Sequence, residues 1–316
     1  MTTTVTRYNL HGVTIRVAGV PEVAEMILQR LSSFRSDYAE NPDLDFVLAS
    51  DELSADSYHA DSGGARSIYE LEGGEVLYRP ATDTITARFQ DSVRMTCNVP
   101  FGKTIYSVNA AESAYRAASH ILFTLPLVEL LRRRGLYNVH AAGLCRGNDA
   151  ILLAGPSGAG KSTLTLAMLQ TGWEYMGDDM LFLKKDCVDV FGFPEGIDYF
   201  PGSGAQSVKT HLCPEVAFGQ AGVLQALPRL LLFPSVAHSS ETVLRSMDPT
   251  EAFLELAPNV LMSDLARCEA HFEVLAELTR KTPAFRSHTG RDLGQAERMI
   301  GDLFESLRPV PRNVTD

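Results

Sequence analysis

The sequence predicts an α/β protein in two parts. A smaller, β-rich α+β domain spans residues 1–111, and residues 112–135 form a helical junction to an α/β domain over 136–316. Three observations predict it. Residues 44–108 are short strand-like runs broken by turn residues. The second half alternates strand-like with helix-like segments. Between an apolar run and a helix-like segment lies a glycine-rich stretch, "AGPSGAGKST" (154–163).

Taken in order, residues 7–18 (RYNLHGVTIRVA) alternate apolar and polar like one half-buried strand. Residues 21–34 open on proline and carry apolar residues at helical spacing. "LDFVLA", "SIYELEGGEVLYRPATDTITARF" and "VRMTCNV" follow as strands, with hairpin turns at Gly73-Gly74 and Ala81-Thr82-Asp83. Residues 112–135 have helical periodicity up to Gly135, and Pro126 should kink or split that helix. "YNVHAAGLC" and "DAILLAG" read as two strands joined by a turn at 146–149. "STLTLAMLQTG" reads as a helix closing at Gly172, and "YMGDDMLFLKK" as an apolar strand interrupted by two aspartates. A strand at 228–234 and helices at 263–281 and 293–307 complete the expected elements.

Composition narrows the classes of partner. The 316 residues carry a formal net charge of −11, which argues against a nucleic-acid partner or an anionic membrane surface. Cys97, Cys145, Cys187, Cys213 and Cys268 are odd in number and scattered, with no C-x-x-C pair, so a reducing cytoplasm is the expected setting. The N-terminal residues lack the blocks of a signal peptide. The longest apolar stretch, 121–131, is too short to span a bilayer and contains Pro126.

Gly155, Gly160, Lys161 and Ser162 satisfy G-x-x-x-x-G-K-[ST], with a strand expected before and a helix after. Gly155, Pro156, Ser157, Gly158, Ala159 and Gly160 are then a backbone cradle for phosphate oxygens, continued by Lys161, Ser162 and Thr163 at a helix N-terminus. Lys161 reaches the phosphates, and the Ser162 hydroxyl is a ligand for Mg²⁺. Asp178 and Asp179 follow after one helix and one strand, which brings them back beside the loop. Adjacent carboxylates in an apolar strand pattern are costly to bury without a cation, so one is expected to hold Mg²⁺ and the other to accept a proton from an attacking hydroxyl. An exposed acidic turn is the alternative. His140, on the strand paired with the one feeding the loop, is either a third member of the set or a structural histidine.

Residues 138–183, "NVHAAGLCRGNDAILLAGPSGAGKSTLTLAMLQTGWEYMGDDMLFL", resemble the catalytic core of HPr kinase/phosphorylase and the HPr-kinase-related kinases. The shared pattern is a histidine-containing strand, a hairpin, the phosphate loop, one helix ending in glycine and an Asp-Asp pair. The resemblance implies a P-loop kinase core of the type shared with phosphoenolpyruvate carboxykinase, often in homo-oligomers. It implies ATP and Mg²⁺ as cofactors, Lys161 on the phosphates, Ser162 and Asp178 at the metal, Asp179 as proton acceptor, and His140 assisting. Thr163 stands where the bifunctional enzymes usually carry glutamate. Their Glu-Ile-Arg-Gly-Leu-Gly run is replaced by residues 193–206, whose Glu195 and Asp198 are either substitute ligands or loop residues. The N-terminal part does not match their regulatory domain. The implied activity is therefore a stand-alone kinase with a hydroxyl acceptor, a serine of a protein or peptide. A small-molecule acceptor and a nucleotide-binding switch without transfer are the alternatives. Arg132, Arg133, Arg134, Arg229 and Arg291 are the candidates for a transition-state arginine.

Overall fold

The computed structural model describes residues 4–19, 21–37, 41–50, 64–90, 92–108, 118, 120–185, 189–199, 210–237, 239–262, 264 and 268–307. It is a mixed α/β structure of two compact units, Met1–Gly135 with Leu261–Cys268, and Leu136–Val260 with Glu269–Asp316.

The first unit is built on one eight-stranded sheet. β1 (Thr4–Leu10) and β2 (Val13–Gly19) pair antiparallel across His11 and Gly12, whose φ values are 53° and 95°. The single strand expected over 7–18 is thus a hairpin, because two successive left-handed residues make a reversal that suits strand twist. Helix α1 (Pro21–Arg30) carries the chain to β3 (Leu44–Ser50), which lies parallel to β2. An antiparallel meander follows: β4 (Arg66–Leu71), β5 (Gly74–Arg79), β6 (Thr84–Phe89), β7 (Val93–Asn98) and β8 (Lys103–Val108). Its last strand closes on β3 in parallel, giving the order β1-β2-β3-β8-β7-β6-β5-β4. The alternation of period two sends Val76, Tyr78, Ile85, Ala87, Met95 and Cys97 inward.

Helix α2 (Ile121–Arg132) belongs to this unit and packs Phe123 against Phe46, ring centroids 5.1 Å apart. Pro126 lies inside it without ending it. A proline lacks the N–H that would bond the carbonyl four residues earlier. Here that carbonyl, on Leu122, accepts a hydrogen bond from the buried Tyr106 hydroxyl at 3.1 Å. A tertiary donor thus stands in for the missing helical one. Residues 112–117 and 119 of the expected helix lie outside the described residues. Asp264, from the later segment of this unit, accepts from Arg66 at 2.7 Å.

The second unit holds a nine-stranded sheet. Its strands are β9 (Leu136–Val139), β10 (Ala141–Arg146), β11 (Asp149–Ala154), β12 (Glu174–Gly177), β13 (Leu181–Lys184), β14 (Val190–Gly192), β17 (Gln225–Val236), β18 (Val243–Met247) and β19 (Ala284–Thr289). β15 (Ile197–Tyr199) and β16 (Thr210–Leu212) form a separate pair. The helices are α3 (Lys161–Leu169), α4 (Pro214–Phe218), α5 (Pro249–Leu256), α6 (Glu269–Lys281) and α7 (Leu293–Ser306). The expected helix at 263–281 is described from Glu269 to Lys281, and residues 263 and 265–267 of it lie outside the described residues.

β11, β17 and β19 run parallel at the centre, and both faces of the sheet are covered. Ile151 and Leu153 face α3 and α7, whereas Leu152 and Ala154 face the side packed by α5 and α6. A strand buried on both faces reads as a continuous apolar run, which is why "AILLA" shows no alternation.

Trp173 is the chain's one tryptophan. It is fully buried, with Phe304 of α7 at 4.9 Å, the Arg146 guanidinium over its ring at 4.2 Å, and its indole N–H donated to Glu297 at 3.2 Å. Truncation there opens a large cavity and strips α7 of its anchor. Trp173→Ala is expected to lower unfolding free energy by about 3–5 kcal/mol in urea denaturation followed by circular dichroism. A loss under about 1 kcal/mol would mean that α7 is held elsewhere. Among the described residues no helix is long and apolar enough to cross a membrane.

Candidate functional site

The site forms where β11 ends. Residues 155–160 turn the chain from β11 into α3, with Gly155, Gly158 and Gly160 at φ values of 150°, 81° and 96°. Gly160 is the N-cap of α3 in the left-handed conformation, which a side chain would strain. The loop lies beside the end of β17. A Cβ on Gly160 would stand 3.4 Å from Val236, and one on Gly155 would stand 3.8 Å from the Pro234 carbonyl. The N–H groups of Lys161, Ser162 and Thr163 open the helix and have no intrahelical acceptor. Ser157 is exposed on the loop, and Ala159 is buried beneath it.

Lys161 is only 6% exposed, and its ammonium donates to the carbonyls of Gly155 at 2.8 Å and Pro156 at 3.3 Å. Burial lowers its pKa, while the nearby charges of Asp179 and Asp178 act in the opposite direction. The lysine therefore closes the loop on itself and faces both aspartates electrostatically.

The two aspartates occupy different environments. They fill the break between β12 and β13, so the expected interrupted strand is two strands with the carboxylates at the gap. Asp178 is 2% exposed; its Oδ2 accepts from the Ser162 hydroxyl at 2.8 Å, and its Oδ1 is buried with no hydrogen bond. Burial pushes its pKa up to about 7, against the lowering effect of the Ser162 hydrogen bond. Asp179, by contrast, leaves 52% of its side chain exposed.

His140 interrupts what the sequence suggested was one strand. β9 pairs with β13 before it, and β10 pairs with β11 and β12 after it. Its backbone N–H donates to the Asn259 carbonyl at 2.7 Å, and its Nδ1 lies 2.9 Å from the Asp179 carbonyl. Since a carbonyl only accepts, Nδ1 carries the proton. That leaves Nε2 turned to the Asp179 carboxylate, 3.8 Å from Oδ1.

A buried carboxylate with one orphaned oxygen, hydrogen-bonded to a hydroxyl at a helix N-terminus, suits a hard divalent cation. Among the described residues no three His, Cys, Asp or Glu side chains converge as a cage. Glu195 raises the Asp178 pKa and so faces it, and its backbone carbonyl accepts from Tyr175 at 2.7 Å. Asp198 is instead paired with His211 at 2.8 Å. Residues 200–206 of that stretch lie outside the described residues.

The arginines divide by position. Arg132 and Arg133 are in ion pairs with Glu129 in the first unit, and Arg134 donates to the Asp43 carbonyl there. Arg229 bonds Asp149 at the start of β11, the end remote from the loop. Arg291 follows β19, whose Thr289 stands in register with Val236, so it lies on the loop's edge of the sheet. Tyr175, Asn259 and Val236 carry no local sequence signal; only the fold brings them to the site.

The raised pKa of Asp178 has a consequence for the ligand-free protein. A folded value of about 7 above the ordinary 3.8 means that the folded chain holds the proton more tightly than the unfolded one. The contribution of this one group is fully present below about pH 4 and is lost as pH rises from there through 7, above which it changes no further. Asp178→Asn, which keeps an acceptor for Ser162, is expected to stabilise the ligand-free protein at pH 8 by up to roughly 4 kcal/mol and hardly at all at pH 4. Equal effects at both pH values in chemical denaturation would contradict this.

The class defined so far is a mixed α/β protein with a glycine-rich loop between a strand and a helix, facing an aspartate pair. No family model matches the chain, and no curated protein matches it. Among solved structures, the HPr(Ser) kinase/phosphatase from Coxiella burnetii aligns at 16% identity and a TM-score of 0.33. That alignment covers 54% of this chain and 97% of that one. The likeness is distant.

Proposed function

We propose that the second unit is a kinase. It binds ATP with Mg²⁺ at residues 155–163 and passes the γ-phosphoryl group to a hydroxyl, a serine of a protein or peptide. The observation that carries this reading is the contrast between neighbouring carboxylates. Asp178 is buried on Ser162 with an orphaned oxygen, whereas Asp179 stands open beside His140. A site that merely holds nucleotide has use for the first and none for the second.

Phosphoryl transfer asks mainly for positioning and charge stabilisation. ATP supplies the phosphoryl group, and Mg²⁺ offsets its charge. Ser162 Oγ and Asp178 would hold the ion, and the loop backbone and Lys161 would hold the phosphates. The exposed Asp179 carboxylate would accept the proton of the acceptor hydroxyl as the hydroxyl oxygen bonds to the γ-phosphorus and the bond from that phosphorus to the bridging oxygen breaks, releasing ADP. His140, donating from Nδ1 to the Asp179 carbonyl, keeps that residue's backbone in place. Of the two candidate arginines in this unit, Arg229 and Arg291, the second follows the end of β19 on the loop's edge of the sheet and is the one we assign to developing charge.

The test follows label from γ-labelled ATP and Mg²⁺ into a lysate fractionated into proteins, peptides and metabolites. Label in the protein or peptide fraction is expected. Label only among metabolites would move the acceptor to a small molecule, and no label alongside intact ATP binding would overturn the kinase reading.

A further inference from the structure

A cavity of about 500 Å³ lies in the same unit, at the end of the central strands remote from the glycine-rich loop. Its lining includes Leu227, Pro228 and Arg229 at the start of β17, Lys184 at the end of β13, and the last turns of α6. β17 runs from this cavity towards Val236 beside the glycine-rich loop, so the length of the sheet separates the two places. The size is that of a small-molecule site.

The walls combine two kinds of surface. Leu183, Val274 and Leu278 form an apolar side continuous with the hydrophobic core, and Leu227 adds to the lining. The charged side chains are Lys184, Lys185, Arg229 and Lys281 against Glu273, Glu277 and the Asp149 carboxylate bonded to Arg229, a small local excess of positive charge in a chain of net charge −11. Lys185–Glu273 at 3.0 Å and Lys281–Glu277 at 2.6 Å are half-exposed pairs of the kind that contribute little and exchange readily. Arg229 differs. Its terminal nitrogen bonds Asp149 at 2.7 Å, but its Nε is buried and has no hydrogen-bond partner. A guanidinium presents its donors as a planar fork that matches an oxyanion, and Arg229 lines the cavity with one donor of that fork unused.

We propose that this cavity binds a small amphiphilic anion, one acidic group on an apolar body. The acid lies at Arg229, and the body packs against Leu227, Val274 and Leu278. The site is separate from the glycine-rich loop and stands whether or not the loop serves transfer.

Anilinonaphthalenesulfonate, a sulfonate on an aromatic body, is a suitable probe for fluorescence titration of the full chain. One saturable site is expected, unaffected by saturating ATP with Mg²⁺. Arg229→Met, which keeps the stem and removes the fork, should weaken the dye about tenfold or more. Val274→Trp, which fills the apolar side and leaves the Arg229–Asp149 pair intact, should abolish binding while thermal melting still reports a folded chain. Unchanged titration in the Val274→Trp variant overturns the proposal. So does displacement of the dye by ATP, which would put it at the loop.

Discussion

Asp179→Asn is expected to reduce phosphoryl transfer by about 10²–10⁴-fold, the range lost with a general base, while ATP affinity changes by less than about threefold. The substitution keeps the size of the side chain and removes its negative charge, and with the charge its ability to take a proton. Since half of that side chain is exposed, the change does not unbalance the core. The nearest polar contact of the residue, from His140 Nδ1, is to its backbone carbonyl, which asparagine retains. Transfer from γ-labelled ATP and calorimetric titration of the nucleotide give the two readouts. Loss of both together would point to a structural role, and retention of transfer would remove Asp179 from the chemistry.

Lys161→Met should act in the opposite sense, weakening ATP about ten- to hundredfold through loss of a charge-assisted contact to phosphate. In the ligand-free chain the ammonium is occupied by the Gly155 and Pro156 carbonyls. Methionine forfeits those two bonds but also removes a desolvated cation, and the two effects offset one another. The melting temperature of the ligand-free variant is therefore expected to stay close to that of the parent. Calorimetry of ATP binding set beside thermal melting distinguishes a lost phosphate contact from a damaged loop; affinity equal to the parent's would mean that Lys161 serves only to close the loop.

The two substitutions separate holding from transferring. A nucleotide switch would feel Lys161→Met and be indifferent to Asp179→Asn. The proposed kinase would lose function with either, by different routes.

The loop was legible in the sequence because its causes are local. Glycines at 155, 158 and 160 are required where the backbone takes positive φ, and the helix behind them starts at its cap. The short helix and strand after Lys161 return the chain, so the position of Asp178 and Asp179 beside the loop follows from element lengths. The hairpins at Gly73 and Asp83 are legible for the same reason, each having a residue at positive φ. The reversal at His11-Gly12 was missed because the apolar pattern runs on through the turn.

What the sequence determined by itself was the glycine-rich loop, its strand and helix, and the nearness of two carboxylates, since these rest on backbone conformation and spacing. Which carboxylate is buried and which is open was decided by the tertiary structure. Adjacent aspartates are equivalent until the surrounding chain seals one beneath Ser162 and leaves the other beside His140. The tertiary structure also decided the break at His140, held by a carbonyl from distant Asn259, and the survival of a helix through Pro126, where Tyr106 donates to the orphaned Leu122 carbonyl. It likewise drew Asp264 to Arg66 in the first unit. Desolvation and the pairing of polar groups depend on residues far apart in the chain, and no window of sequence holds both partners.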